Sequence, residues 1–195
     1  NKLYGPNVHG CIGTVLSGWF RTDLLSSWMN VVAVRDPSAR FEIVTLDDAL
    51  LVRKTLDPMN NLAERLNISS RPSKDMPDAL CAHDLSVMFF SSGLSKLGSA
   101  PTRLAEVLGC GLPVVANEGV GDVAQIIREN NVGVIVEGES EEDIHEAFDT
   151  LNNLMQDADL PIRCRTTAKA IFSLESGTEA YGNIYNEILK SNDSS

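Results

Sequence analysis

LSVMFFSSGLSKLGSAPTRLAEVLGCGLPVVANEGVGD, running from Leu85 to Asp122, holds the alternation that decides the fold. Leu85 to Ser92 is apolar on both faces, as a strand in the middle of a parallel sheet must be. Pro101 to Cys110 then reads as a helix with Leu104 and Leu108 on its buried stripe, and Leu112 to Asn117 as the next strand. Gly119 and Gly121 permit a turn into a second helix, Asp122 to Asn131, whose Val123, Ile126 and Ile127 face the core. Asp122 with Gln125 three residues later predicts a capping box at its start.

The same alternation continues outward in both directions. Upstream, Cys11 to Gly18 reads as a strand and Arg21 to Val34 as a helix with Leu24, Leu25, Trp28, Val31 and Val32 at helical spacing. Phe41 to Leu46 is a strand, and Asp48 to Asn67 one or two helices broken near Pro58. Ile68 to Ser73 is a weak strand and Asp75 to Ala82 a short helix. Downstream, Val132 to Val136 is a strand, Ser140 to Gln156 an amphipathic helix, and Ile162 to Lys190 further helix. Six β-then-α units predict an α/β fold with a doubly wound parallel six-stranded sheet. There is no internal repeat. A leading segment, 1–10, precedes one Rossmann-like domain, 11–190, and 191–195 is expected to be a disordered tail.

Composition narrows the partners. The chain has 195 residues, 43% of them hydrophobic, enough for one ordinary core. Sixteen basic against 27 acidic residues give a net charge of −11, which repels nucleic acid and anionic lipid. No apolar run reaches the ~18 residues that span a bilayer, so direct membrane insertion is not expected. Cys11, Cys81, Cys110 and Cys164 form no CxxC pair, which predicts buried, reduced thiols and a cytoplasmic protein. The acidic run Glu137 to Asp143 fits a helix start better than a metal site. The chain opens on Asn1, which fits a segment of something longer.

Open parallel sheets bind ligands outside the carboxyl ends of their strands. The loop after the first strand has Gly13 and Gly18 with four residues between them, but Trp19 and Phe20 stand where a P-loop needs Lys and Ser or Thr. It offers no GxGxxG either. Arg21 is the cation near that strand end and a candidate contact for a donor phosphate. Gly98 to Arg103 suits an anion better. With Pro101 at the first helical position and Ala100 as N-cap, the N–H groups of Thr102 and Arg103 are free for a phosphate. In the alternative register Ser99 caps the helix and nothing binds. Glu106, four residues after Thr102, lies off the buried stripe. Its spacing fits an ion pair with Arg103 before it fits a carboxylate accepting from a ribose diol. Lys74 and Lys96 fall in loops on the same side and are further phosphate candidates. Trp19 and Phe20 suit either covering a ligand or packing on another domain. Cys81, His83 and Asp84 are too close in sequence to converge as a triad, and His9 and His145 show no partner pattern.

Ser99 to Glu106 followed by Gly109-Cys110-Gly111-Leu112-Pro113-Val114-Val115 resembles the SPTK…E…GxPVV signature of family 4 glycosyltransferases, enzymes of the GT-B fold. The likeness extends through Gly119 to Asp122 and Val132 to Val136. It implies the carboxyl-terminal, nucleotide-sugar-binding half of a retaining enzyme that uses a UDP or GDP sugar and needs no cofactor or metal. Glu106 would hold the ribose, while Gly98, Ser99, Thr102 and Arg103 approach the diphosphate and sugar, with Gly119 and Gly121 nearby. Gly98 stands where the family commonly carries a further glutamate, so the resemblance names no catalytic residue. The opposing acceptor domain would come from an amino-terminal part of the same chain or a partner subunit, and the chain alone would be inactive. A nucleotide-sugar epimerase half-domain and a non-catalytic nucleotide-binding module are the alternatives.

Overall fold

The computed structural model describes residues 7–93 and 102–192. Strands β1 (Val8–Ile12), β2 (Arg40–Val44), β3 (Leu66–Ser69), β4 (Leu85–Met88), β5 (Val114–Asn117) and β6 (Gly133–Val136) form one sheet. Every pairing in it is parallel, and the order is β3-β2-β1-β4-β5-β6. The expected doubly wound sheet is therefore present, with its order reversing between β1 and β4. Helices α1 (Thr22–Arg35), α2 (Ala49–Leu56) and α6 (Glu141–Leu154) cover one face. The other face carries α3 (Met76–Cys81), α4 (Thr102–Gly109), α5 (Val123–Asn130) and α7 (Leu160–Phe172). The last helix, α8 (Leu174–Asn192), leaves α7 and includes residues assigned above to a disordered tail.

Each helix buries the stripe its spacing dictates. Leu24, Leu25, Trp28 and Val32 of α1 meet Phe148 and Leu151 of α6, and Trp28 is wholly inaccessible. Side chains of this size stabilise the fold by about 1.5 to 3 kcal/mol each through burial. Leu104, Val107 and Leu108 of α4 pack with Leu160 and Cys164 of α7 on the opposite face. All four residues of β4 are buried, as its unbroken apolar sequence requires.

Several boundaries differ from the sequence reading. β1 runs Val8–Ile12 instead of Cys11 to Gly18, so residues given above to a leading segment belong to the sheet. Polar His9 and bare Gly10 hid this strand. Gly10 is required there because a Cβ would overlap the His83 ring, and Gly13, at φ +87°, ends the strand. α2 stops at Leu56, and the chain turns back around Asp57, whose buried carboxylate accepts the N–H groups of Asn61 (2.7 Å) and Leu62 (3.0 Å). β3 consequently starts at Leu66, inside the stretch expected to be helical.

The capping box expected at Asp122 does not form. Asp122 sits at φ −99°, ψ 11°, outside the extended geometry a capping side chain needs, and Gln125 donates to Glu129 at 2.8 Å. A reciprocal box instead opens α6, between Ser140 and Asp143, with Glu141 and Glu142 in the same turn. Cys11 and Cys164 are buried, but Cys81, at the end of α3, is exposed and Cys110 half-buried, correcting the expectation of four buried thiols; all four are free. Burial pushes the Cys11 thiol up to about 12 and that of Cys164 up to about 11, so neither ionises at neutral pH. No helix among the described residues is long and apolar enough to cross a membrane.

Candidate functional site

At the carboxyl edge of the sheet, the loop after β1 is fixed first. Gly13 N–H donates to Val44 O (2.8 Å), and the Asp47 carboxylate accepts the N–H groups of Val15 (2.8 Å) and Leu16 (3.0 Å). Further along the loop, Phe20 bridges Phe90, just past β4, and their rings meet edge to face with centroids 5.9 Å apart. Arg21 N–H donates to Phe89 O (3.0 Å), and Ser91 N–H to Trp19 O (3.0 Å). Phe20 is buried, so it is a core residue, while Trp19 is 58% exposed.

Arg103, in the first turn of α4, turns away from Glu106. Its guanidinium lies over the Phe90 ring at 5.7 Å, a cation–π distance, and its Nη2 points to Thr14 O at 3.4 Å. The loop accommodates it because Gly13 lacks a side chain; a Cβ there would overlap the guanidinium. Nη1 is buried and has no hydrogen-bond acceptor among the described residues. The i, i+3 pair with Glu106 does not form, and Glu106 is exposed together with Thr102. Gly98, Ser99 and Lys96, with Ala100 and Pro101, lie outside the described residues, so the capping register stays an expectation.

Arg21 has a different environment. Its Nε and Nη2 donate to Asp23 (2.9 and 2.6 Å), and its Nη1 donates to Glu139 in the loop after β6 at 2.6 Å. The bonds from Arg21 hold the Asp23 carboxyl below its ordinary range. Arg21 thus ties two loops together with its charge offset. Gly119 and Gly121 both have positive φ, as a tight turn requires, and Gly119 passes so close to Ser92 that a Cβ would overlap its side chain. Arg128 closes the same edge by pairing with Glu118 and, at 2.7 Å, with Glu137.

On the far side of Gly13, a cavity of about 150 Å³ is lined by Thr14, Thr45, Leu46, Arg71, Ser73 and Met76. Lys74 stands exposed in the 3-10 turn Ser73–Asp75 beside it. Larger cavities lie away from the strand-order reversal. One of about 440 Å³ is at the amino edge beside Gly111 and Arg165, and one of about 330 Å³ lies along the outer side of β6. We favour the smaller cavity because Gly13, which lines it, also meets the guanidinium, and because it opens at the carboxyl edge, where open sheets bind ligands. The sequence reading missed Gly13 as a contact, Phe90 and Arg71. Gly13 at a strand end was the one signal of this corner; the others have none in their spacing. Among the described residues no group of three or more His, Cys, Asp or Glu side chains is placed to hold a metal ion.

A six-stranded parallel sheet in this order, with a cation and a cavity at its carboxyl edge, matches the Rossmann-like domain of GT-B glycosyltransferases. Residues 7–156 match the family model described as Glycosyl transferases group 1, and the chain belongs to that family. No curated protein matches the sequence. Among solved structures, a glycosyltransferase from Rickettsia africae ESF-5 superimposes with a TM-score of 0.72 at 17% identity, over 96% of this chain and 49% of that one. Anabaena Alr3699/HepE in complex with UDP and glucose gives 0.69 at 19% identity, over 94% and 49%. A point mutant of S. aureus TarM in complex with fondaparinux, alpha-GlcNAc-glycerol and UDP gives 0.69 at 21%, over 94% and 36%. These likenesses establish the fold, and the chain spans half or less of each of these proteins.

Proposed function

We propose that this chain is the sugar-donor-binding half of a retaining glycosyltransferase that uses a nucleoside-diphosphate sugar, completed by an acceptor-binding domain that faces the carboxyl edge of the sheet. The observation that carries this reading is the Arg103 guanidinium, held on Phe90 against Gly13 with an N–H group lacking an acceptor among the described residues. A buried N–H left unpaired is costly, and a phosphate oxygen would satisfy it with a charge-assisted bond. The cavity beyond Gly13, with Arg71 and Lys74 at its rim, is where the nucleoside would sit. Glu106 would accept from the ribose hydroxyls, and the start of α4, with Gly98, Ser99 and Thr102, would meet the diphosphate. As transfer proceeds, negative charge grows on the leaving nucleoside diphosphate, and Arg103 is preorganised to meet it. The UDP complexes of HepE and TarM, on the same fold, support the choice of ligand class.

Calorimetric titration with UDP, GDP and ADP tests the reading. One of the three is expected to bind, with Arg103→Ala weakening it roughly ten- to a hundredfold and leaving the melting temperature within a few degrees. Glu106→Ala should weaken it too. Failure of all three nucleotides to bind would overturn the proposal. Sugar transfer by this chain alone to an acceptor would overturn the requirement for a second domain.

A further inference from the structure

Asn117, the last residue of β5, takes no part in the site as described so far. β4 leaves the sheet at Met88, so Phe90 has no strand partner on the β5 side. The Asn117 side chain takes that place. Its Oδ1 accepts Phe90 N–H at 2.8 Å, and its Nδ2 donates to Phe90 O at 2.9 Å. The same Nδ2 donates to Glu118 O at 3.0 Å, which fixes the amide's own orientation. On the opposite side the Phe20 main chain bridges Phe90, and the Phe20 ring meets its ring edge-on. Phe90 is thus held from both flanks, with one aromatic face under Arg103.

We infer that Asn117 is a positioning residue for diphosphate binding, acting through Phe90 to aim the Arg103 guanidinium past Gly13; this rests on the proposed donor-site reading. The chemistry selects an amide. Only a side chain with an acceptor and a donor on one planar group can satisfy both the N–H and the C=O of a single residue. Aspartate has nearly the same shape but, when ionised, only accepts, so its second oxygen would face the carbonyls of Phe90 and Glu118. The ring would then shift, and the guanidinium, gripped otherwise among the described residues by a long bond to Thr14 O, would shift with it. An interaction of this kind governs affinity for any diphosphate, whichever base it carries.

The test is a double-mutant cycle in the purified protein, read by calorimetry with the nucleoside diphosphate that binds best of UDP, GDP and ADP, and again with inorganic pyrophosphate. Asn117→Asp is expected to weaken both probes about tenfold. In an Arg103→Ala background the same change should alter affinity less than about twofold, because the group it aims has gone. Equal losses in both backgrounds would show a merely structural role and overturn the inference, as would unchanged affinity in Asn117→Asp alone. No binding of any probe to the unmutated protein would overturn the donor-site reading itself, and this inference with it. Should Asn117→Asp fail to fold, Phe90→Leu, which removes the aromatic face and keeps the main-chain clamp, carries the same expectations.

Discussion

Arg21 and Arg103 flank the same two residues, Phe89 and Phe90, at the end of β4, yet their environments are opposite. Arg21 is bonded to Asp23 and Glu139, while Arg103 makes no ion pair among the described residues and rests on an aromatic ring. Carboxylates neutralise a cation and leave a tie between loops. A ring and a glycine hold a cation in place without neutralising it, so its field stays available to a ligand. In this acidic protein one corner thus keeps a guanidinium with no ion pair among the described residues, while the other has its cation paired into a tie between loops.

Breaking the Arg103 corner should have the largest effect. Gly13→Val places a β-branched side chain at φ +87° and against the guanidinium, and is expected to cost about 4 kcal/mol in urea unfolding while abolishing nucleotide binding. A normal unfolding midpoint would refute the close approach of Arg103. Acid sharpens the comparison next. His9 is buried near the amino end of β1, away from both corners, accepting the Trp28 N–H at 3.2 Å, and burial pushes its pKa down to about 4 from the usual 6.5. Between those values the unfolded chain binds a proton that the folded chain refuses, so stability falls as pH drops from 6.5. The loss should reach about 3 kcal/mol by pH 4. The Arg21–Asp23 bond, with the Asp23 carboxyl held low, lasts to still lower pH. Unfolding curves that coincide at pH 7 and pH 4.5 would contradict this placement of His9. The smallest effect belongs to Arg21→Gln. Its partners are largely exposed, so stability should change by less than about 1 kcal/mol, with nucleotide affinity unchanged. A severalfold loss of affinity would mean that Arg21 leaves its carboxylates to meet the ligand.

Periodicity made the sheet legible because each helix keeps an apolar stripe and the central strand β4 an unbroken apolar run. It failed where side chains answer to tertiary neighbours. His9 and Gly10 look unlike strand residues until Trp28 and His83 are set against them. Asp122 looks like a cap until its own backbone angles are known. Of the candidate site, Arg103 and the turn glycines were legible from the α4 segment, and Arg21 from its place after the first strand. The partners that distinguish the two arginines were not, since Glu139 lies 118 residues from Arg21, and Phe90 and Asn117 are joined by side-chain bonds across 27. No local pattern encodes such meetings.

The strand order also bears on how the chain reaches its fold. β1 to β3 pair with sequence neighbours, as do β4 to β6, whereas β1 joins β4 across a far longer stretch, marked by the Val8 N–H to Asp84 bond over 76 residues. Closing that loop has the greater entropic cost, so the two triplets are expected to assemble first and the middle of the sheet to zip last. Arg103 and Gly13 come from opposite triplets. In that order their contact forms with the last step, and a diphosphate held there would act as a latch, slowing the first step of unfolding.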